Sequence, residues 1–302
     1  MKAIVTGGAG FIGSNLVDRL LELGHDVSII DDLSTGKKEN LNPNAKFYHK
    51  SLHTTSVDEL AGILKSTDVV FHTAALARVQ PSIQNPVKYN EVNTNSVVNL
   101  LAACVEAGVK RVVYSASSSA YGNANQFPTS ETHETDSLSP YGLQKYIGEL
   151  YCKMFSKVYG IDTVCLRYFN VYGPRMNFEG AYKTVIGVFF EQMRDGNPLT
   201  ITNDGNQRRD FTHVNDVVDA NILASTKDNK FVGEVFNVGK GSNYSINEVA
   251  DMFGGEKAYG ETRLEPFETL ADNTKAREVL GWNPTGELEE YIEVLKGLLI
   301  NK

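Results

Sequence analysis

The chain opens with MKAIVTGGAGFIGS (residues 1–14), where a short apolar run breaks into a glycine cluster and a helical apolar pattern follows. This order predicts a strand, a tight turn and a helix. Gly8, Gly10 and Gly13 fit the spacing G-x-G-x-x-G, and Gly7 adds G-x-x-G-x-x-G. Glycine suits so tight a turn because it has no side chain. The turn would bring bare backbone and the positive end of the helix to a pyrophosphate, and the last glycine would let helix and strand pack closely.

The segment after this helix supports a dinucleotide site. A second apolar strand at residues 27–30 is followed by Asp31 and Asp32. An acidic residue about 20 positions beyond the glycines is typical of a carboxylate that holds the adenosine ribose. Glycine triplets occur in many turns and Asp31 could simply end a strand, but the complete order of strand, glycines, helix, strand and acid favours dinucleotide binding. Because no arginine is adjacent to Asp31, the pattern favours NAD over NADP.

The composition argues against several classes of function. Among the 302 residues, 37 are acidic and 29 are basic, which argues against non-specific nucleic-acid binding. The three cysteines, Cys104, Cys152 and Cys165, are unclustered, which indicates a reducing compartment and offers no metal-ligand spacing. No apolar run is long enough to span a bilayer, and a strand at the very start leaves no room for a signal peptide. We therefore expect a cytoplasmic protein that binds no metal, membrane or nucleic acid.

Predicted strands and helices alternate through the first half of the chain. The strands are expected at about residues 3–5, 27–30, 46–49, 68–72, 111–115 and 163–167. The helices are expected at about residues 11–23, 57–64, 86–107 and 143–159. Repeated β-α-β units predict an α/β fold with a Rossmann-type doubly wound parallel sheet and helices on both faces.

The pattern loosens after Tyr172. We expect residues 1–172 to form the NAD-binding domain, with a returning segment at about 211–240. Residues 173–302 should form mainly a smaller, interleaved substrate-binding lobe over the cleft. Ligands of such sheets bind beyond the C-terminal ends of the strands, so the residues that follow each strand are the candidates for the site.

Tyr141 and Lys145 form the first candidate for reactive chemistry. They are four residues apart near the start of a predicted helix, so they project from the same face. A nearby ammonium stabilises phenolate over phenol, and lowering a tyrosine pKa from about 10 towards 7 needs roughly 4 kcal/mol. With 14 tyrosines in the chain, one Tyr-x-x-x-Lys could arise by chance. The serines of residues 115–119 follow a strand one crossover upstream, where a hydroxyl could bond the substrate oxygen that Tyr141 deprotonates, although they could also form a simple turn.

These motifs together resemble the extended short-chain dehydrogenase/reductase superfamily and, within it, nucleotide-sugar 4-epimerases of the UDP-glucose and UDP-N-acetylglucosamine type. The resemblance covers essentially the whole chain. Its motifs are TGGAGFIG (6–13), DDLSTG (31–36), HTAA (72–75), SSSAYG (117–122), YGLQK (141–145), RYFN (167–170) and RDFTHV (209–214).

The resemblance implies a catalytic cycle and its residues. Tyr141 would be the base at the sugar 4-hydroxyl, and Lys145 would lower its pKa and hold the nicotinamide ribose. Ser117 would hydrogen-bond the 4-oxygen, with Ser118 nearby. NAD would take hydride from C4 to give a 4-keto sugar, which turns over in the cleft and receives hydride on its other face. NAD would then be regenerated in each turnover and remain tightly bound.

The resemblance also implies two binding shells. Asn170 and Arg209 would bind the diphosphate, and Phe169 would lie beside the nicotinamide. The expected cofactor shell comprises Gly7, Gly10, Phe11, Ile12, Gly13, Asp31, Asp32, Ser34, Thr35, Gly36, Ser51, Leu52, Ala74, Ala75, Arg78, Asn93, Tyr141, Lys145 and Phe169. The expected substrate shell comprises Ser117, Ser119, Tyr141, Asn170, Val185, Thr200, Thr202, Arg209, Arg263, Glu265 and Thr269.

Some positions depart from the family pattern, and one bears on the substrate. Ser51 stands where an aspartate usually contacts adenine, and the segment at 263–265 keeps an arginine and an acid but lacks the usual glycine. GAY at 180–182 resembles the N-acetylhexosamine branch. Thr269, two residues before Ala271, corresponds to a gate beside the sugar 2-substituent. Because Thr269 is small, we expect UDP-GlcNAc and UDP-GalNAc to be accepted, beside UDP-glucose and UDP-galactose.

Alternatives remain at this point. A sugar-nucleotide dehydratase or decarboxylase of the same fold would need an acid at the strand end, where 117–119 are serines. A UDP-glucuronate 4-epimerase would differ only in substrate contacts, and a non-catalytic NAD-binding protein would not need Tyr141, Lys145 and Ser117 together. The resemblance further implies a homodimer in which helices at about 86–107 and 143–159 form a four-helix bundle, although these helices could instead pack on their own sheet.

Overall fold

A seven-stranded parallel sheet forms the centre of the protein, in the order β11-β6-β5-β4-β1-β2-β3. The structure is a computed structural model that describes residues 1–178, 183–262 and 265–300. The predicted parallel α/β fold is confirmed, and the strand order reverses between β1 and β4, as in doubly wound sheets. The strands are β1 (Lys2–Thr6), β2 (Asp26–Asp31), β3 (Lys46–His49), β4 (Val69–His72), β5 (Arg111–Ser117), β6 (Asp162–Tyr168) and β11 (Val232–Val238).

Helices cover both faces of this sheet and continue into the C-terminal part of the chain. The predicted helix at 86–107 is present as a continuous run with one π-helical turn in its middle. The helices are α1 (Phe11–Glu22), α2 (Val57–Leu64), α3 (Val79–Gln84), α4 (Pro86–Asn90), the π-helical turn (Glu91–Asn95), α5 (Ser96–Ala107), α6 (Pro140–Tyr159), α7 (Val185–Arg194), α8 (Val214–Thr226), α9 (Ile246–Phe253), a second π-helical turn (Ala276–Leu280) and α10 (Leu288–Ile300).

Short strand pairs organise the chain after β6. β7 (Val171–Tyr172) pairs in parallel with β10 (Thr212–His213), and β9 (Arg208–Asp210) pairs antiparallel with β12 (Asn243–Ser245). β8 (Leu199–Ile201) pairs in parallel with β13 (Lys257–Tyr259). The returning strand β11 joins the main sheet beside β6, so the second half of the chain is interleaved with the first.

The core lies on both faces of the central sheet. Along β1, Ala3 and Val5 pack on one face with α1 and α8, whereas Ile4 packs on the other face with α2 and α5. Side chains alternate along a strand, so a sheet covered on both faces needs a continuous apolar run. A third apolar cluster lies between α7, α9 and α10 in the C-terminal part.

The described residues contain neither a membrane-spanning helix nor a cluster of metal ligands. No helix in 1–178, 183–262 or 265–300 has the length and apolar character needed to cross a membrane. Over the same ranges, no set of His, Cys, Asp and Glu side chains is arranged to hold a metal ion.

Candidate active site

A cleft opens at the C-terminal ends of β1, β2 and β4, where ligands of parallel sheets bind. Eleven of the predicted cofactor residues line it. These are Gly7, Gly10, Asp31, Asp32, Ser34, Thr35, Gly36, Ser51, Leu52, Ala74 and Ala75.

The glycine loop is packed too tightly to carry side chains. Gly7 has a φ of +71°, and a Cβ there would lie 2.7 Å from the Ala74 backbone. A Cβ on Gly13 would lie 2.2 Å from the carbonyl oxygen of Gly7. Gly10 precedes α1 and provides no side-chain cap, so the first N–H groups of α1, including those of Phe11 and Ile12, can face an anion. The side chains of Phe11 and Ile12 instead pack into the apolar clusters.

Asp31 fits the expected contact with a ribose. Its Oδ2 accepts a hydrogen bond from Ala9 N at 3.0 Å, and its Oδ1 accepts one from Leu33 N at 2.8 Å. Burial raises the pKa of Asp31, and the two N–H groups oppose that rise. Each carboxylate oxygen keeps accepting capacity for a ribose hydroxyl. The bare glycine backbone, the N-terminus of α1 and this carboxylate together fit a dinucleotide.

The end of the cleft beside β3 contains a residue that is not in the predicted cofactor shell. His53 lines the cleft, and its Nδ1 lies 2.8 Å from Ser51 Oγ. Ser51, which replaces the usual aspartate, is therefore paired with a second polar side chain. In the sequence, the only sign of this pair is that His53 follows two residues after Ser51.

The start of α6 brings the reactive residues together. Ser139 caps this helix by accepting a hydrogen bond from Gly142 N at 3.1 Å, so α6 begins three residues before the predicted start at Leu143. A Cβ on Gly142 would lie 2.4 Å from the carbonyl oxygen of Ser119, which shows how closely α6 approaches the turn that follows β5. Across this contact, Ser117 is close enough to Tyr141 to lower the pKa of the Tyr141 hydroxyl.

The turn after β5 also fixes the strand-end serines. Ser117 Oγ accepts a hydrogen bond from Ser119 N at 3.2 Å. Ser118 and Ser119 lie in a single 3-10 turn and are half-buried. Ser117 is thus the strand-end serine whose side chain reaches Tyr141.

Lys145 lies one helical turn after Tyr141 along α6. Its Nζ donates a hydrogen bond to the Ser115 carbonyl at 2.7 Å and lies 5.2 Å from the centre of the Tyr114 ring. Burial lowers the pKa of Lys145 to about 8. The ammonium is therefore held at the C-terminal end of β5.

The electrostatics of Tyr141 differ from the prediction. Burial raises the pKa of Tyr141, while the hydrogen bond from Ser117 and the charge of Arg78 lower it. The Lys145 ammonium, which was expected to lower this pKa, is directed at the Ser115 carbonyl. A second cation, Arg78, which the sequence analysis placed in the cofactor shell, lowers the Tyr141 pKa.

The loop before α3 holds Arg78 near Tyr141. Arg78 has a φ of +107°, a conformation that favours glycine. The backbone N–H of Tyr141 donates to Ser82 Oγ on α3 at 3.2 Å, which ties α3 to α6. Arg78 directly precedes α3 and so comes to the start of α6.

Asn93, in the first π-helical turn, is hydrogen-bonded to the loop between β4 and α3, which also carries Arg78. Its Oδ1 accepts from Leu76 N at 2.8 Å, and its Nδ2 donates to Leu76 O and to Gln144 Oε1, both at 3.0 Å. Asn93 therefore uses both amide hydrogens to join the loop after β4 to α6.

The chain after β6 carries several predicted substrate residues. Phe169 is buried against Tyr121 and Ala271. Asn170 has a φ of +27°, and its Nδ2 donates to the Asp210 carbonyl at 3.0 Å and to Thr269 Oγ1 at 3.1 Å. The structure thus brings Asn170 and Thr269 together, and it directs the Asn170 amide hydrogens to protein atoms.

Arg209 and Glu265 form an ion pair. Arg209 Nη2 lies 2.6 Å from Glu265 Oε2, and Thr202 Oγ1 donates to Glu265 Oε1 at 3.4 Å. Three predicted substrate residues are therefore adjacent, whereas Arg263 lies outside the described residues, as does the GAY segment at 180–182.

Val185 and Thr200 lie farther along the C-terminal part. Val185 begins α7 and packs against the third apolar cluster. Thr200 Oγ1 accepts a hydrogen bond from Gln192 Nε2 at 2.7 Å and is exposed.

The buried carboxylate of Asp210 joins three segments of the C-terminal part of the chain. Its carboxylate accepts hydrogen bonds from the backbone N–H groups of Lys240 at 2.7 Å, Gly241 at 3.0 Å and Ala271 at 3.0 Å. Asp210 has no exposed surface. One carboxylate therefore holds the loop after β11 and the segment beside Thr269 against β9.

Replacing Asp210 by asparagine should reduce the free energy of unfolding by about 1–3 kcal/mol, because an NH₂ group would face backbone donors and leave at least one without an acceptor. Urea unfolding monitored by circular dichroism measures this change. The matched control is Asp228→Asn at an exposed site, which should leave the unfolding midpoint unchanged. Equal midpoints for both variants would contradict the role given to Asp210.

Comparison with known proteins agrees with this geometry. The model of the NAD dependent epimerase/dehydratase family matches residues 3–239. UDP-glucose 4-epimerase from Thermotoga maritima, solved with UDP-glucose, is 38% identical with a TM-score of 0.93, covering 100% of this chain and 99% of that chain. UDP-N-acetylglucosamine 4-epimerase from Methanobrevibacter ruminantium, in complex with UDP-N-acetylmuramic acid, is 36% identical with a TM-score of 0.92 and the same coverage.

A third solved structure contains the cofactor. UDP-glucuronic acid 4-epimerase from Bacillus cereus, in complex with UDP-glucuronic acid and NAD, is 32% identical with a TM-score of 0.91, covering 100% of this chain and 99% of that chain. The family match spans well over half of the chain, and the cleft at β1, β2 and β4 has the groups that NAD requires. The chain therefore belongs to the NAD dependent epimerase/dehydratase family.

Proposed function

We propose that this NAD-dependent UDP-sugar 4-epimerase interconverts UDP-GlcNAc and UDP-GalNAc, beside UDP-glucose and UDP-galactose. The observation that carries the proposal is the close packing of the start of α6, which holds Tyr141, against the turn after β5, which holds Ser117. A proton acceptor and a hydroxyl relay would then lie at the edge of the sheet where the dinucleotide cleft opens. Solved relatives that act on UDP-glucose and UDP-N-acetylglucosamine support the substrate class.

The residues of the chain would move one proton and orient one sugar. Ser117 would take the proton of the sugar 4-hydroxyl and pass its own to Tyr141, and the reverse transfer would restore the hydroxyl after the 4-keto sugar has turned. NAD, when bound, supplies the hydride acceptor and donor at C4. Arg209 would bind the diphosphate and so keep the substrate tethered while the sugar rotates.

The N-acetyl substituent would be accommodated beside Thr269. Thr269 Oγ1 accepts hydrogen bonds from Asn170 Nδ2 at 3.1 Å and from Asp210 N at 3.2 Å. These contacts place a small, half-buried side chain two residues from Ala271, which packs on Phe169. A side chain of this size leaves room that an aromatic ring would fill.

Incubation with UDP-GlcNAc tests the function directly. The purified protein, without added cofactor, should form UDP-GalNAc that is detected by ¹H NMR of the sugar. Formation of a UDP-4-keto-6-deoxy sugar would instead identify a dehydratase. A folded protein that forms no 4-epimer from any of the four UDP-hexoses would refute the proposal.

A second candidate substrate is UDP-glucuronate. The observation that favours it is the cationic Arg78, whose charge lowers the Tyr141 pKa and which therefore lies near the proposed proton acceptor. A guanidinium there can bind a carboxylate on C5. Arg78→Gln should impair Tyr141 with every substrate, so a fall in kcat/KM for UDP-glucuronate that is much larger than the fall for UDP-GlcNAc would establish this substrate.

We further propose a homodimer through a four-helix bundle. Leu143, Leu150, Met154 and Val158 are exposed by 50%, 47%, 37% and 64% and recur at helical spacing along α6. A contiguous apolar stripe on a long helix is typical of a helix–helix interface. On the neighbouring α4, Val87 is 71% exposed.

Charged substitutions in this stripe should dissociate the dimer. The variant Leu150→Glu/Met154→Glu should sediment as a 33.3 kDa monomer, whereas the wild type should sediment at twice that mass. The matched control is Val294→Glu on α10, which is 60% exposed and should remain dimeric. A wild-type protein that sediments as a monomer at micromolar concentration would exclude the dimer.

A further inference from the structure

A buried ion pair lies directly behind the reactive residues on α6. Tyr141, Lys145 and Glu149 follow each other at intervals of four residues, so they share one face of the helix. Arg167, at the end of β6, binds Glu149 with both ends of its guanidinium group, at 2.8 Å from Nε to Oε1 and 2.6 Å from Nη2 to Oε2. Only 4% of the Arg167 side chain and 3% of the Glu149 side chain are exposed.

General stability does not explain this pair. Removing two charges from water is costly, and well-packed apolar residues often replace a buried ion pair without loss of stability. Neither Glu149 nor Arg167 lines the cofactor cleft. The Arg167 guanidinium also lies 4.5 Å from the centre of the Tyr121 ring, and Tyr121 donates to Asn237 Oδ1 at 2.7 Å. The pair is therefore held rigidly one turn below Lys145.

The surroundings of Lys145 make its charge depend on this pair. From β5 it meets the Ser115 carbonyl and the Tyr114 ring. From β4 it faces His72, whose pKa burial lowers to about 3, so that His72 is neutral at pH 7. On α6 the charged neighbour is Glu149, and the thiol of Cys152 is also close. In the described part of the chain, Glu149 is thus the carboxylate that acts on Lys145.

We propose that Glu149, oriented by Arg167, is a positioning residue that keeps Lys145 protonated at neutral pH. Lys145 can bind a ribose hydroxyl and attract a phenolate as an ammonium, and it loses both properties in part when it becomes an amine. Burial alone favours the amine. The Glu149 carboxylate opposes this effect of burial on the Lys145 pKa. Arg167 holds the carboxylate in place, so that it cannot turn away from Lys145.

These charges predict the direction in which the Lys145 pKa and the pH dependence of kcat should change. In the wild type, the Lys145 ammonium persists below a pH of about 8 and is lost above it. We therefore expect kcat to fall as the pH rises above this value. Removing the Glu149 charge should lower the Lys145 pKa by about one unit, which reduces the ratio of ammonium to amine about tenfold at a given pH. The alkaline fall in kcat should move to lower pH by the same shift.

The test is a pH titration of Lys145 by NMR in protein labelled with ¹³C-lysine, with its signal identified by its loss in Lys145→Met. Glu149→Gln should titrate at lower pH than the wild type, and Glu149→Asp, which keeps the charge, should largely restore the wild-type titration. Because Glu149→Gln leaves Arg167 buried without its partner and can unfold, the double variant Glu149→Gln/Arg167→Met removes both charges. It should also titrate at lower pH than the wild type, but with a smaller shift than Glu149→Gln, because the Arg167 charge that repels the Lys145 ammonium is removed as well.

The kinetic readout separates this proposal from the proposed function, on which it rests only for the assistance that Lys145 gives to Tyr141. The pH profile of kcat for UDP-GlcNAc should shift with the NMR titration, while KM changes little. A Lys145 titration that does not move in the folded double variant overturns the proposal, even if the protein is an epimerase. A titration that moves in a protein without epimerase activity supports the proposal and rejects the function.

Discussion

Replacing Tyr141 by phenylalanine is expected to lower kcat for every UDP-sugar by about 10²–10⁴-fold, since positioned acid–base groups contribute effects of this size. The substitution removes one oxygen from a half-buried ring and with it the interaction of the hydroxyl with Ser117. The ring keeps its volume, so the packing of α6 against the turn after β5 should persist. KM should change little, because the lost group acts on the proton rather than on the diphosphate. Initial rates over a range of substrate concentrations measure both quantities.

Tyr146→Phe is the matched control for this variant. Tyr146 lies on the same helix and is also half-buried, and it has no place in the proposed site. It should retain near wild-type kcat and KM. A Tyr141→Phe protein with wild-type kcat would remove Tyr141 from the chemistry, and an increase in KM alone would reassign it to substrate binding.

Replacing Thr269 by tyrosine should abolish turnover of UDP-GlcNAc and UDP-GalNAc, by at least about 100-fold, while UDP-glucose and UDP-galactose remain substrates. The larger side chain would fill the space beside Asn170 and Ala271 that an N-acetyl group needs. Discrimination then comes from a clash with one sugar pair rather than from better contacts with the other. The ratio of kcat/KM for the acetylated and non-acetylated sugars is the quantity to measure.

Thr269→Val separates the size of this side chain from its hydrogen bonds. Valine has nearly the same shape but cannot accept from Asn170 Nδ2 or from Asp210 N. The variant should lower activity on both sugar pairs to a similar degree and leave their ratio unchanged. If Thr269→Tyr also lowers both pairs equally, Thr269 supports Asn170 and does not select the sugar.

Local patterns were sufficient to predict the parallel sheet and the glycine loop. The apolar runs of β1, β4 and β5 are continuous because helices cover both faces, and a continuous run next to turn residues is a local signal. A Cβ on Gly13 would meet the Gly7 carbonyl of the same β-α unit, which is a local contact, whereas Gly7 itself approaches the Ala74 backbone after β4. The predicted start of α6 at Leu143 is three residues late, because Ser139 caps the helix and Pro140 is its first residue.

The remaining site features depend on residues far apart in the chain. Asn170 and Thr269 are 99 residues apart, and Arg209 and Glu265 are 56 apart, so no local pattern shows that they meet. The identity of Arg78 is visible in the sequence, but its effect on Tyr141 arises from the packing of α3 against α6. Burial also reverses the expected direction of the Tyr141 pKa, and burial is a property of the folded chain.

The ion pair between Arg209 and Glu265 has a consequence for substrate exchange. If Arg209 binds the diphosphate, an arriving substrate must displace a carboxylate, and a departing product is replaced by it. Binding then exchanges one anion for another, so the guanidinium group is never left in a poorly solvated site without a counter-charge. Glu265 would act as an internal competitor that weakens substrate binding and speeds product release, which suits an enzyme whose substrate and product differ only at one carbon.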